Sequence, residues 1–483
     1  MKNTLKLHLI LLLAVGSILA ACSKDDTTPG GGKDNGKDKV STDNSLRNFS
    51  FTTASNPSLG QNCTSIENGT TIYITVPEGV SLASLVPTFN AHDKATVLVG
   101  STAVQSGSTS VDFSNTVTIT VTAENGTKRY YTILAKNGNA AIDSKIYAFM
   151  IEHEIPGVSV AISADEDIVY TSAYGFADQL GSQRVTPDHM FRLASMSKQH
   201  TAIAIMTLME QGKLKLTDKV FGKDGLLYNA FGDNMSSAWK AITVEQLLSH
   251  TSGIETEAFF GAGSAYSGKS QNERIATLLQ KGTVKWTPGT IYEYNNSNFG
   301  ILGKVVEDLS GKSFMKFLKE DVYGPAGITG IDCGINDGPI KGEVMHYSQN
   351  SVNPYDNNVE AGVAAGGVVA TATGLMQLMA RIDYGTKVPD FLSKETLDKM
   401  YTQINAVDTD GDKAQYALGW RTGYSNYPDW KAFHGGTLAG VCPIWARSYD
   451  NVNGAILCNS RSYNKSIDSD LWHLLEDIQD HFR

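Results

Sequence analysis

A serine with a lysine three residues on (Ser195-Met196-Ser197-Lys198), a tyrosine with two asparagines (Tyr294-Asn295-Asn296) and a glycine-rich His434-Gly435-Gly436-Thr437 follow one another along this chain. Together they supply a hydroxyl nucleophile, two proton carriers and backbone N–H groups, the parts needed for acyl transfer through a covalent intermediate. The bare patterns carry little information. Ser-x-x-Lys occurs four times, at Ser195, Ser237, Ser313 and Ser462, and Tyr-x-Asn four times, at Tyr294, Tyr355, Tyr424 and Tyr449. Position separates them. Ser195 alone opens a long apolar run (Ala202, Ile203, Ile205, Met206, Leu208, Met209) closed by Gly212, which predicts a helix over residues 195–212. A serine there has free N–H groups and the positive helix end beside it. Lys198 lies one turn on, on the same face. An apolar wall disfavours its ammonium and favours the neutral amine that a base must be.

Tyr294 stands on a loop entering a predicted helix over residues 298–309, where a neighbouring cation would lower its phenol's pKa and let it shuttle a proton. Asn296 offers an amide donor and an acceptor to a substrate amide. Gly435 and Gly436 let a substrate lie against a strand edge. There the Thr437 N–H pairs with that of Ser195 as an oxyanion hole, and His434 binds a substrate carboxylate or steers protons. Each residue taken singly also reads as a helix cap, a solvated lysine or a hydrogen-bonded loop. The conjunction carries the argument.

The elements that must hold these groups begin near residue 141, where helices and strands alternate. Helices are predicted over residues 143–153, 244–250 and 468–482, and strands over 157–162, 168–174, 415–420, 431–434, 442–448 and 454–459. About 340 residues exceed one simple core, which predicts two lobes with a cleft between them. Residues 45–137 read as strands only. Ile72, Ile74 and Val76 alternate with Tyr73 and Thr75, Val117, Ile119 and Val121 with Thr118 and Thr120, and Asn125-Gly126 marks a hairpin. This pattern predicts a small immunoglobulin-like (Ig-like) β-sandwich. It serves as a spacer, or else contacts a glycan or protein partner.

With these motifs in place, residues 141–483 resemble the serine beta-lactamase and D-Ala-D-Ala carboxypeptidase superfamily, in its class C-like, esterase-containing branch. The resemblance extends to Ile155-Pro156-Gly157-Val158, Gln211-Gly212-Lys213-Leu214, Leu247-Leu248-Ser249-His250-Thr251-Ser252-Gly253, Ala365-Gly366-Gly367 and Leu418-Gly419-Trp420. It implies an α/β (α+β) fold with an antiparallel sheet, flanking helices and a helical lobe. It also implies Ser195 as acyl-enzyme nucleophile, Lys198 and Tyr294 sharing general-base work, and the Ser195 and Thr437 amides as oxyanion hole. Asn296, His434, Gly435 and Gly436 would bind a small-molecule or peptide substrate. No cofactor and no metal is required. His250-Thr251-Ser252-Gly253 reads as a structural turn. His434 stands where dedicated beta-lactamases usually carry lysine, which removes a permanent cation and favours a D-amino-acid peptide, a peptidoglycan-like fragment or a small ester. The alternatives are a true beta-lactamase and a catalytically silent binding or sensor protein.

The N-terminus has Lys2, Lys6 and an apolar run, then ends Leu19-Ala20-Ala21-Cys22. Residues 1–21 read as a signal peptide too short to span a bilayer. The Leu-Ala-Ala-Cys end resembles a bacterial lipobox, which implies lipidation of Cys22. Residues 22–44 form a polar, glycine-rich tether, and its Lys-Asp-Asp start is similar to the export signal of Bacteroidetes surface lipoproteins. The implied location is the outer membrane, facing the periplasm or the cell surface, with the lipid as the membrane contact. Losing residues 1–21 removes Lys2 and Lys6 and no acid, so the net charge goes from −10 to −12. An acidic chain argues against nucleic acid. Cys63, Cys333, Cys442 and Cys458 lack metal-ligand spacing. Cys442 and Cys458, on two arms of a predicted hairpin, form either a disulfide or two buried thiols.

Overall fold

The computed structural model describes residues 40–178, 181–261, 263–463 and 466–483. The leader, Cys22 and the tether up to residue 39 lie outside the described residues.

The N-terminal module has eight strands: β1 (Arg47–Phe51), β2 (Cys63–Asn68), β3 (Thr71–Val76), β4 (Thr88–Asn90), β5 (Thr96–Val99), β6 (Thr102–Ala103), β7 (Val117–Thr122) and β8 (Lys128–Asn137). Their edge order is β4-β1-β2-β3-β8-β7-β5-β6. Only β3 and β8 run parallel, with Ile72 opposite Ile133. The alternation in β7 turns Val117, Ile119 and Val121 inward onto a core that includes Phe49, Phe51 and Phe113. Helix α1 (Ala140–Glu152) follows, its first N–H groups accepted by the Asn139 side chain.

The larger unit is built on a five-stranded antiparallel sheet: β9 (Gly157–Ala164), β10 (Asp167–Gly175), β12 (Trp430–Gly435), β13 (Ile444–Ser448) and β14 (Val452–Cys458), in the order β10-β9-β14-β13-β12. The two-residue strand β11 (Phe191–Arg192) lies apart, paired with Val368–Ala370. Every residue of β14 is buried, because helices cover both faces of the sheet. On one face α1 and the C-terminal helix α6 (Ile467–Gln479) bring Ile146, Met150, Leu471 and Leu475 onto Val158, Val160 and Ile456. On the other, Ala161, Ala455 and Leu457 join the core of the helical lobe.

At the centre of that lobe runs α2 (Ser197–Glu210), with every residue from Ser197 to Met206 buried. Its second part, Ala202 to Met206, is apolar all round, while its first turn buries the polar Ser197, Lys198, Gln199, His200 and Thr201. Against α2 packs α4 (Asn296–Ser310), which in turn carries α3 (Val244–Leu248), while α5 (Ala372–Met379) packs on β9, β10 and β14.

Two expectations change. The predicted helix over 195–212 starts as a 3-10 turn, Ala194–Met196, and becomes α-helical at Ser197. Residues 415–420 are not a strand. Only a Tyr416–Arg421 bridge forms, because Gly419 bends the chain at φ +86° against α2, where a Cβ would lie 2.7 Å from the Ala202 Cβ. Cys63, Cys333, Cys442 and Cys458 are unbonded, and Cys442 and Cys458 are buried thiols.

Candidate active site

Strand β11 delivers the chain to Ser195 through Ala194, whose φ of +48° is in the left-handed region that L-residues seldom occupy. This bend leaves Ser195 half-buried while its neighbours from Phe191 to His200 are buried. The bend is braced from below. Buried Arg192 pairs with Glu343 at 3.1 Å, and its backbone N–H donates to His346 Nε2 at 3.3 Å. The other ring nitrogen, Nδ1, therefore carries the proton and donates to the Gly440 carbonyl at 3.1 Å. One imidazole thus ties the chain before Ser195 to the turn after Thr437.

Lys198 is completely buried. Its Nζ lies 2.7 Å from the Ala365 carbonyl, 2.8 Å from Asn296 Oδ1 and 3.3 Å from Ser195 Oγ. Burial pushes its pKa down to about 7, with Glu257 opposing and Arg421 adding to the fall. Near neutral pH the amine is therefore readily uncharged. A neutral amine has two hydrogens to donate, and the two nearest acceptors are Ala365 and Asn296. Its lone pair then faces Ser195 Oγ, the geometry of a base poised on a nucleophile.

Tyr294, Asn295 and Asn296 sit at the start of α4, where the Asn295 side chain caps the helix by accepting the Ser297 N–H at 2.8 Å. Lys198 Nζ lies 4.9 Å from the centre of the Tyr294 ring. The cation thus meets the ring face rather than the hydroxyl oxygen. The expected lowering of the phenol's pKa does not occur: burial pushes it up, with Ser195 and Arg421 pulling the other way. The hydroxyl is buried without a well-formed hydrogen bond, and Ser195 is the polar group that counters its burial most. Tyr294 is a protonated donor in the resting site.

Asn296 faces inward more than its type suggested. Its Oδ1 accepts from Lys198, and its N–H and Nδ2 both donate to Glu257 Oε2, at 2.9 and 3.0 Å. One amide hydrogen remains for a ligand.

His434 also departs from expectation. It is buried, and its Nδ1 and Nε2 lie 2.6 Å from the Gly435 carbonyl and 3.3 Å from the Tyr416 hydroxyl. Burial, Arg421 and Lys198 hold its pKa well below the usual range, so it carries no charge with which to hold a carboxylate. Arg421 stands nearby as a permanent cation. Its guanidinium lies 5.9 Å from the Tyr294 ring centre and donates to the Tyr424 hydroxyl at 2.7 Å. Among the described residues no carboxylate pairs with it.

Gly436 sets how closely the chain before Thr437 approaches the turn at Ser195. A Cβ there would lie 2.2 Å from the Leu193 carbonyl and 3.0 Å from the Ala194 Cβ, so β12 runs directly against the turn that carries Ser195. Thr437 is exposed, and its N–H donates to no acceptor among the described residues.

His250 is nearer the chemistry than a structural turn requires. Its Nδ1 accepts from the Asn295 N–H at 3.2 Å, and its ring centre is 4.3 Å from that of Tyr294, so it buttresses the phenol. Arg421 and Glu257 escaped the sequence reading because both stand outside the three motifs. The loss of lysine at position 434 was the one signal pointing to a replacement cation.

A family model described as Beta-lactamase matches residues 142–477, and one described as SGBP, N-terminal, matches residues 49–134. The chain is 23% identical over 328 residues to Protein flp of Staphylococcus aureus (strain MRSA252), covering 68% of this chain and 62% of that protein. Among solved structures it is similar to the octameric penicillin-binding protein homologue from Pyrococcus abyssi, at 25% identity and a TM-score of 0.54 over 66% of this chain and 73% of that one. It also shares its fold with the D-amino acid amidase from Ochrobactrum anthropi SV3, at 22% identity and a TM-score of 0.57 over 71% of this chain and 99% of that one.

Proposed function

Since the chain belongs to the Beta-lactamase family over residues 142–477, we propose that it is a serine hydrolase that works through an acyl-enzyme on Ser195. The observation that carries this reading is Lys198: buried, with its pKa brought down to about 7, and 3.3 Å from Ser195 Oγ. Neutral Lys198 takes the Ser195 proton as Oγ attacks the substrate carbonyl carbon. The oxyanion that forms accepts hydrogen bonds from the Ser195 and Thr437 N–H groups. Tyr294 then gives its proton to the departing nitrogen or oxygen, and the Lys198 ammonium restores it. Water releases the acyl group by the same steps in reverse.

The acyl donor is a D-amino-acid peptide or peptidoglycan-like fragment with a free carboxylate on the leaving side. Arg421, with no acid partner among the described residues, supports that choice over a small ester. The D-amino acid amidase and the penicillin-binding protein homologue lend analogy of fold, and neutral His434 disfavours the beta-lactamase alternative. Two comparisons test the reading. Ser195→Ala abolishes turnover of a D-Ala-D-Ala thioester while the circular dichroism spectrum is kept; turnover close to wild type refutes it. Arg421→Ala raises KM for donors ending in carboxylate by roughly 10-fold or more and leaves donors ending in amide near wild type. An equal loss on both refutes the carboxylate assignment.

We also propose that the chain is an outer-membrane lipoprotein anchored through Cys22, with the N-terminal module as a stand that sets the height of the active site. Incorporation of labelled palmitate that is lost in Cys22→Ala supports this; label retained in the variant refutes it.

A further inference from the structure

We infer that Glu257 is a positioning residue for this reaction: through Asn296 it aims the Lys198 amine at Ser195. This inference rests on the hydrolase reading above. Asn296 could present either end of its amide to Lys198, and only the oxygen is useful. With Oδ1 toward Lys198, the amide accepts an N–H and leaves the amine's lone pair for Ser195. With Nδ2 toward Lys198, the amide would donate into that lone pair and occupy the base. Glu257 decides between the two, because an ionised carboxylate only accepts.

Its Oε2 takes the Asn296 N–H at 2.9 Å and Nδ2 at 3.0 Å, which turns Oδ1 onto Lys198 at 2.8 Å. The carboxylate is itself fixed. Its Oε1 accepts the Phe259 N–H at 2.7 Å and the Phe260 N–H at 3.3 Å. The relay therefore runs from two backbone amides through Glu257 and Asn296 to Lys198. It holds a side chain that leaves only a half-buried carboxylate on the loop after α3.

Glu257 has a second effect, through charge. The groups that face Lys198 are Ser195 on its own turn, Asn296 and Tyr294 at the start of α4, Glu257 and His250 after α3, and Arg421 and His434 near β12. Burial holds Tyr294 protonated and both histidines neutral. The charged pair is therefore Glu257 against Arg421, and the two act on Lys198 in opposite senses. Removing the carboxylate leaves Arg421 unopposed, which makes the Lys198 ammonium less stable.

The test is the pH profile of kcat/KM and the plateau kcat for wild type, Glu257→Gln and Glu257→Asp on a D-Ala-D-Ala thioester. For Glu257→Gln the acid limb moves to lower pH by about 1 unit, and plateau kcat falls by roughly 10- to 100-fold as Asn296 loses its fixed orientation. Glu257→Asp keeps the charge, so its limb moves less, and its kcat lies between the other two. A residue that merely stabilised the loop would lower the melting temperature and leave the limb in place. A folded Glu257→Gln enzyme with wild-type plateau kcat, or with a limb that coincides with wild type, overturns the inference. If the Gln variant does not fold, a Glu257→Asp enzyme with wild-type kcat and profile overturns it. Wild-type protein without Ser195-dependent turnover contradicts the hydrolase reading instead, so the two failures are distinguishable.

Discussion

Lys198 and Tyr294 are buried together, and burial acts on them in opposite senses. It favours the neutral amine and it favours the protonated phenol, so the pair rests as one acceptor and one donor. The pH dependence follows from Lys198. Below its pKa of about 7 the amine is an ammonium and cannot take the serine proton. The kcat/KM of the free enzyme therefore rises with pH through about 7 and levels off above it. A limb near pH 4 would assign the base to a carboxylate, and one near pH 10 would contradict the lowered pKa of Lys198. Tyr294→Phe separates chemistry from stability. It should lower kcat by roughly 100-fold or more, yet leave the melting temperature within a few degrees, because the hydroxyl it deletes is buried and poorly bonded. Ser195, Lys198 and Tyr294 were legible in the sequence because helix entries place them, and local pattern encodes helix entries. Arg421 and Glu257 were not, since their roles come from contacts through space. The resting charge of Tyr294 was misjudged because the sequence shows that a cation is near, but not that it lies over the ring face.

Elements matter here where two backbones approach. Gly436 lets β12 pass the turn before Ser195, and Gly419 lets the chain after α2 close against that helix. Gly436→Ala would put a methyl 2.2 Å from the Leu193 carbonyl, which separates the two oxyanion donors. The expected result is a loss of about 100-fold in kcat with destabilisation of roughly 1–3 kcal/mol in urea unfolding; an unchanged kcat would remove Thr437 from the oxyanion hole. Alternation made the strands of the N-terminal module readable, as did the apolar periodicity of the long helices. Residues 415–420 carry a strand-like pattern, but Gly419 at φ +86° breaks it. Side-chain type alone does not disclose which glycines adopt that conformation.

Across the whole molecule, the two modules are joined by a polar cluster that no single segment announces. Asp143 of α1, fully buried, accepts from Thr75 of β3 at 2.9 Å and from Tyr174 at 2.5 Å, and pairs with Lys136 of β8 at 3.3 Å. Tyr73 stacks on Tyr147 beside it, with ring centres 4.5 Å apart. This junction suits a stand that holds the catalytic unit in a fixed orientation. Asp143→Ala strands the Lys136 charge and should cost roughly 3–5 kcal/mol, splitting a shared calorimetric transition into two; one transition at the wild-type temperature would show that the junction couples nothing. Wild type and Ser195→Ala are exposed briefly to an aryl ester, a D-Ala-D-Ala thioester and a penicillin, and the intact mass of each is read. One acyl group added to wild type and none to Ser195→Ala is the predicted result. An equal adduct on both proteins, or turnover without any Ser195-dependent adduct, would contradict the acyl-enzyme account.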